Sequence, residues 1–148
     1  MSRFHLVPFT AEHYFAIPPR KEEAAVADYK PLLVDRLLRS TVALTLMDGE
    51  TPIVCGGLWI FWPGMAEIWF HGSDASTPHA VSILRHSRRL LQTWIKDYGI
   101  FRLQLTIDAS FTASYRFAEA LGFTLESRMP RYGPDRQEFL RYVLLPDA

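Results

Sequence analysis

The chain has 148 residues, 49% hydrophobic and 14% aromatic, which suits one buried core and a globular rather than a disordered chain. Its 16 Lys and Arg balance 16 Asp and Glu, which removes any global electrostatic case for nucleic acid or an anionic membrane. The single cysteine excludes an internal disulfide framework and fits a reducing compartment. No apolar run approaches the ~18 residues of a membrane span, and the start lacks the apolar core of a signal peptide. The expectation is one domain over 1–148, located in the cytoplasm.

Arg3 to Phe9 reads as a first strand ending at Pro8. Thr10 with His13 is half a capping box and opens a short helix over Thr10–Ile17, which Pro18-Pro19 stops. Glu22 to Arg39 is a longer helix that Pro31 should break or kink. Thr41 to Met47 alternates as a strand, Asp48-Gly49 is a hairpin turn, and Pro52 to Trp62 returns. The Gly56-Gly57 pair inside that strand calls for a bulge or a close backbone approach. Pro63-Gly64 turns the chain into a strand over Met65–His71, completing a meander.

Residues 72–78, GSDASTP, read as a polar loop in which Ser76 or Thr77 caps the next helix. That helix runs to Tyr98 and ends at Gly99, with Ile83, Leu84, Leu91 and Trp94 on one face and Arg85, Arg88, Arg89 and Lys96 on the other. Leu103, Leu105 and Ile107 alternate with polar residues as a half-buried strand. Phe111 to Leu121 has helical spacing and Gly122 follows at its C-cap, while Asp108, at the end of the strand before it, reads as a functional residue or as the cap of this helix. Thr124–Met129 and Glu138–Leu145 form a last hairpin around the turn RYGPDR. A strand feeding a long helix and a further strand predicts a parallel crossover between the fourth and fifth strands.

Cys55 lies in the apolar run IVCGGLWIFW and reads as a small buried hydrophobe. His5, His13 and His86 have no metal-like spacing, so no metal is expected, and no Ser-His-Asp or Cys-His arrangement is present. RHSRR, 85–89, reads as a solvated helix face that could also meet a phosphate or an acidic partner. The rings of WIFW, 59–62, exceed what a solvated strand needs, and an exposed one would mark a protein interface. His71 is open between a functional contact and a plain loop residue.

The order β-α-α-β-β-β-α-β-α-β-β, with Gly122-Phe123 near its end, resembles the GCN5-related N-acetyltransferase (GNAT) fold over essentially the whole chain. SYRFAEALGF, 114–123, resembles the family's second acetyl-CoA-side motif. A narrower resemblance is to the GNAT-like proteins of tailed phages, including short internal virion proteins of podoviruses. Gly56-Gly57, Pro63-Gly64, Ile68-Trp69-Phe70, Ser73-Asp74 and LRHSRRLL, 84–91, carry it in that order.

The resemblance implies an α+β fold with a mixed, mostly antiparallel sheet of six to seven strands flanked by about four helices. It implies acetyl-CoA as co-substrate and an amine as acceptor. The backbone of Ile68, Trp69, Phe70 and His71 would receive the pantetheine arm. The pyrophosphate would sit over Ser73, Ser76, Thr77, His79, Ala80 and Val81, at a helix start where orphan N–H groups and the helix dipole suit an anion. Ser114 would approach CoA, Glu67 would act as general base, and Tyr115 would stand in as general acid. By themselves these residues read as a helix-packing serine, a solvent-facing glutamate and a packing aromatic.

Three positions depart from the family pattern. GSDASTPHA has one glycine, and Pro78 has no amide to donate. Phe111 stands where Asn is common, and Ala118 where the thiolate-protonating Tyr falls. Two functions therefore stay open. One is an N-acetyltransferase. The other is a catalytically degenerate structural or host-interaction protein with a protein partner, for example inside a virion. A nucleic-acid module rests on RHSRR alone.

Overall fold

The computed structural model describes residues 3–18 and 30–147. In chain order its elements are β1 (Phe4–Pro8), α1 (Ala11–Ala16), α2 (Lys30–Leu38), β2 (Val42–Asp48), β3 (Thr51–Trp62), β4 (Met65–Gly72), a 3-10 helix (Asp74–His79), α3 (Ala80–Tyr98), β5 (Arg102–Asp108), α4 (Thr112–Ala120), β6 (Thr124–Met129) and β7 (Phe139–Leu144). The sheet order is β1-β2-β3-β4-β5-β7-β6. β4 and β5 run parallel, while β1/β2, β2/β3, β5/β7 and β6/β7 run antiparallel. The expected α+β class, mixed sheet and parallel crossover are present. β7 inserts between β5 and β6, so the strand-helix-strand unit around α4 joins two strands that are not neighbours. Residues 72–78 were expected as a loop. The chain instead winds into the 3-10 helix and passes from it directly into α3.

Part of the helix expected over Glu22–Arg39 falls on residues outside those described. The break expected at Pro31 falls at the edge of the described residues; from Lys30 the helix runs on to Leu38.

The chain forms two compact units, Met1–Trp59 with Trp69–Ile83, and Ile60–Ile68 with Leu84–Ala148. The first is built on Tyr14, Ile17, Val34, Leu37, Cys55 and Trp69, with Phe9, Ala43 and Trp59 packed against them. Trp69 meets Phe9 edge-on, and its indole N–H donates to Ser40 Oγ at 2.8 Å. Gly57 lies under the Trp69 ring, where a Cβ would overlap the indole. The glycine pair is thus a close approach; the β2/β3 irregularity lies elsewhere, between Leu46 and Met47.

α1 has a complete capping box where half of one was expected. The His13 N–H donates to Thr10 Oγ1, and the Thr10 N–H donates to His13 Nδ1. An imidazole nitrogen does here what a Glu usually does. The same Nδ1 lies 2.8 Å from the hydroxyl of Thr45, which is buried and 3.4 Å from Cys55 Sγ. Burial pushes the Cys55 thiol up to about 11, against the lowering effect of the Thr45 hydrogen bond. Cys55 should therefore alkylate with iodoacetamide at pH 8 at least ~100-fold more slowly in the native protein than in urea, since thiolate is the reactive form. The stability from keeping this thiol neutral is full below pH 9.0 and is lost as pH rises towards about 11.

In the second unit, Leu103, Leu105 and Ile107 of β5 align with Leu144, Tyr142 and Leu140 of β7 on one face. α4 covers that face, with Tyr142 donating to Glu119 Oε2 at 3.2 Å. The Arg88 side chain of α3 donates to the Ala120 carbonyl at the end of α4. Both helices end as expected at Gly99 (φ 59°) and Gly122 (φ 102°). In each, the glycine N–H returns three residues back and the following N–H five, the paired bonds of a Schellman cap. The Asp108 cap is corrected. Phe111 is the N-cap and makes no side-chain cap. Asp108 Oδ1 instead accepts from the Ser110 N–H and hydroxyl, forming an Asx turn just before α4.

Candidate active site

β5 was expected to be half-buried, with Arg102, Gln104 and Thr106 facing water. Gln104 is only 5% exposed and anchors a polar network. The parallel register pairs Met65, Ala66 and Glu67 with Arg102, Leu103 and Gln104. Glu67 and Gln104 are therefore neighbours on one face, and Gln104 Nε2 donates to Glu67 Oε1 at 2.8 Å. The amide of Gln104 is oriented by Arg102, whose Nε and NH2 donate to Gln104 Oε1 at 3.3 and 3.1 Å. Arg102 also grips Glu126 of β6 with two bonds, at 2.8 and 2.6 Å. That pairing raises the pKa of Arg102 and holds the Glu126 carboxyl below the usual carboxylate range. The chain Glu126–Arg102–Gln104–Glu67 thus fixes one oxygen of Glu67 through a neutral donor. A neutral donor holds the carboxylate in place and leaves its negative charge available to a substrate cation or proton.

Tyr115 and Ser114 are half-buried on α4. Tyr115 sits one helical turn from Glu119; burial raises the pKa of Tyr142 most, Glu119 next, and Tyr115 adds to it. Tyr142 alternates along β7 with Arg141, the register partner of Thr106, so Glu67 and Tyr115 are on opposite faces of these strands. The structure does not bring the two catalytic candidates onto one face.

The residues expected at the cofactor form one stretch of the first unit, apart from Ile68 and Ser114, which belong to the second. Trp69 is buried, Phe70 half-buried, and Gly56 lies against Phe70. His71 is a buried strand residue rather than a loop residue. It stacks on Tyr14 with ring centroids 4.0 Å apart, and its Nε2 is 3.3 Å from the Tyr14 carbonyl oxygen. Ser73 and Ser76 are buried, and Ser76 donates both its N–H and its hydroxyl to the Ser73 carbonyl. Ser76 and Thr77 lie inside the 3-10 helix, so neither stands as a cap ahead of α3. His79 meets Phe4 edge-on. Thr77, Ala80 and Val81 are exposed, Val81 at 72%. The Ala80 N–H returns to the Thr77 carbonyl, so the donor end of this helical run moves back towards Ser73. The first turn of α3 has no acidic residue, and Asp74 is the one acid in 73–83.

No protein-family model matches the sequence, and no curated protein matches it. Solved structures do match. Ard1 from Thermoplasma volcanium superposes with a TM-score of 0.76 at 12% identity, covering 99% of both chains. A GNAT family acetyltransferase from Elizabethkingia anophelis with acetyl-CoA bound gives 0.71 at 14% identity, covering 99% of this chain and 100% of that one. IAA acetyltransferase from Bacillus cereus gives 0.71 at 17% identity, covering 97% and 99%. The chain has the GNAT fold. At these identities the likeness is one of architecture. On this GNAT-fold chain, the Gln104–Arg102–Glu126 support of Glu67 escaped sequence reasoning. Its one signal was the polar series Arg102, Gln104, Thr106, which also fits a plain solvated face. Among the described residues no His, Cys, Asp or Glu cluster could hold a metal, and no helix is long and apolar enough to cross a membrane.

Proposed function

We propose that this chain is an acetyl-CoA-dependent N-acetyltransferase with Glu67 as general base. The observation that carries the reading is the Glu67 carboxylate, held by an oriented Gln104 amide at 2.8 Å on β4 of a GNAT fold. The thioester supplies an activated acetyl group when bound. The acceptor nitrogen attacks its carbonyl carbon, a C–N bond forms, the C–S bond breaks, and the thiolate leaves to be protonated from solvent. Glu67 takes the proton the nitrogen loses. Arg102 and Gln104 are positioning residues for Glu67. Tyr115, on the other face, is assigned packing beside Tyr142.

The co-substrate fits the residues present. The β4 backbone beyond Glu67 would receive the pantetheine arm, as the resemblance to the family implies. The run from Ser73 through Val81 presents a helix start to the pyrophosphate, with His79 beside it. The pyrophosphate arm is tested at Val81, which is exposed; a charge at buried Ser76 would disturb the fold itself. Calorimetry should give micromolar acetyl-CoA binding for the wild type, weakened about tenfold or more in Val81→Glu by like-charge repulsion at the helix start. No heat at millimolar acetyl-CoA would sink the enzyme reading. Pro78 and the bonds spent within the 3-10 helix favour, as second reading, a structural or virion protein of the same fold, which predicts that silence.

A further inference from the structure

Two buried polar atoms among the described residues have no hydrogen-bond partner, Thr106 Oγ1 and Arg141 Nε. They are not scattered. Thr106 and Arg141 are register partners across β5 and β7, so their side chains rise from the same face side by side. Thr106 is two residues from Gln104, so this is also the face of Glu67. A buried donor beside a buried hydroxyl, both unpaired, is rare in a native protein and calls for an explanation.

The charges on this face sharpen it. Arg102 and Glu126 satisfy each other in a two-pronged pair, at 2.6 Å at its closest. Glu126 also lies near enough to Arg141 for its pKa to be lowered, but its oxygens are engaged by Arg102. Arg141 forms no ion pair among the described residues. What remains is one carboxylate on β4, met by a neutral amide, and one guanidinium on β7. Two strand spacings and two residues along the strand separate their Cα atoms by about 12 Å.

We propose that Arg141 and Thr106 are the carboxylate-binding half of the acceptor site, so that the acceptor is an amine that itself carries a carboxylate, of amino-acid size. The inference rests on Glu67 receiving the amine, as argued above. The amine lies towards Glu67, the acceptor's carboxylate takes the Arg141 Nε–H, and the Thr106 hydroxyl donates beside it. Arg141 then sets specificity and takes no part in proton transfer.

The test uses matched probes, tyrosine with tyramine, phenylalanine with phenethylamine, histidine with histamine and lysine with cadaverine. Binding to the full chain is read by saturation-transfer NMR without any co-substrate, and CoA release from acetyl-CoA is read separately. At least one amino acid should bind about tenfold or more tightly than its decarboxylated partner, the scale of a lost charge-assisted hydrogen bond. Arg141→Met should erase that ratio and leave the amine unchanged, Arg141→Lys should restore part of it, and Thr106→Val should reduce it. Equal binding of both members of every pair, or no amino acid bound at 10 mM (roughly the weak limit of specific affinity), overturns the proposal. So does an Arg141→Met loss that falls equally on both members with a lowered melting temperature, which marks a structural role. Arg141-dependent amino-acid binding without CoA release keeps the subsite and refutes the acetyltransferase reading. CoA release with all four amines and no preference for amino acids does the reverse.

Discussion

Replacing Glu67 by Gln should lower kcat/KM for amine acetylation by about 10²- to 10⁴-fold, the contribution of a positioned general base. The substitution keeps size and polarity, and Gln104 Nε2 still has an oxygen to donate to, so the fold is preserved. Acetyl-CoA affinity should stay within about twofold, because this is a loss in the transition state and not in ground-state binding. A Glu67→Gln protein with unchanged kcat/KM for its best amine would remove Glu67 from the mechanism. Gln104→Leu supplies the intermediate case. It leaves Glu67 in the chain and cuts it from the Arg102–Glu126 pair, so the rate should drop by about tenfold, between wild type and Glu67→Gln.

The largest stability effect is expected at Gly57. A methyl group there overlaps the Trp69 indole, and the ring has nowhere to go. Phe9 meets it edge-on, Trp59 lies at 6.2 Å, and its N–H is tied to Ser40 at 2.8 Å. Gly57→Ala should therefore cost about 2–3 kcal/mol in urea unfolding, the upper range for overpacking a filled core. Trp69→Ala should cost about 3–5 kcal/mol through the cavity it leaves. The two should not add. In the double variant the methyl enters space the indole has vacated, giving a favourable coupling of about 1–3 kcal/mol. Additive losses would mean that Gly57 is needed for its backbone and not for the ring above it.

These two sites differ in how far the sequence foretold them. Gly56-Gly57 inside a strand announced a bulge or a close approach, because a glycine there spends stability that some neighbour must justify. The neighbour's identity was not foretold; Trp69 sits one strand away in the sheet but twelve residues on in the chain. The Glu67 network is a sharper case. The alternation in β5 correctly gives a strand and correctly separates Leu103, Leu105 and Ile107 from Arg102, Gln104 and Thr106. It does not say whether the polar side meets water or other side chains. Gln104 at 5% exposure is decided by β4 and β7 flanking it.

What this sequence by itself determined is the local grammar. Period-2 and period-3.6 spacing set the seven strands and four helices within a residue or two among the described residues. Gly49, Gly99 and Gly122 set turns and caps where a positive φ excludes most other residues. These are short-range choices, made by one residue's sterics and its nearest neighbours. Tertiary structure alone decided the insertion of β7 between β5 and β6 and the pairing of Thr106 with Arg141. Each depends on which strand a given edge meets. Backbone hydrogen bonds satisfy any edge alike, so only the packing of the whole sheet selects among them.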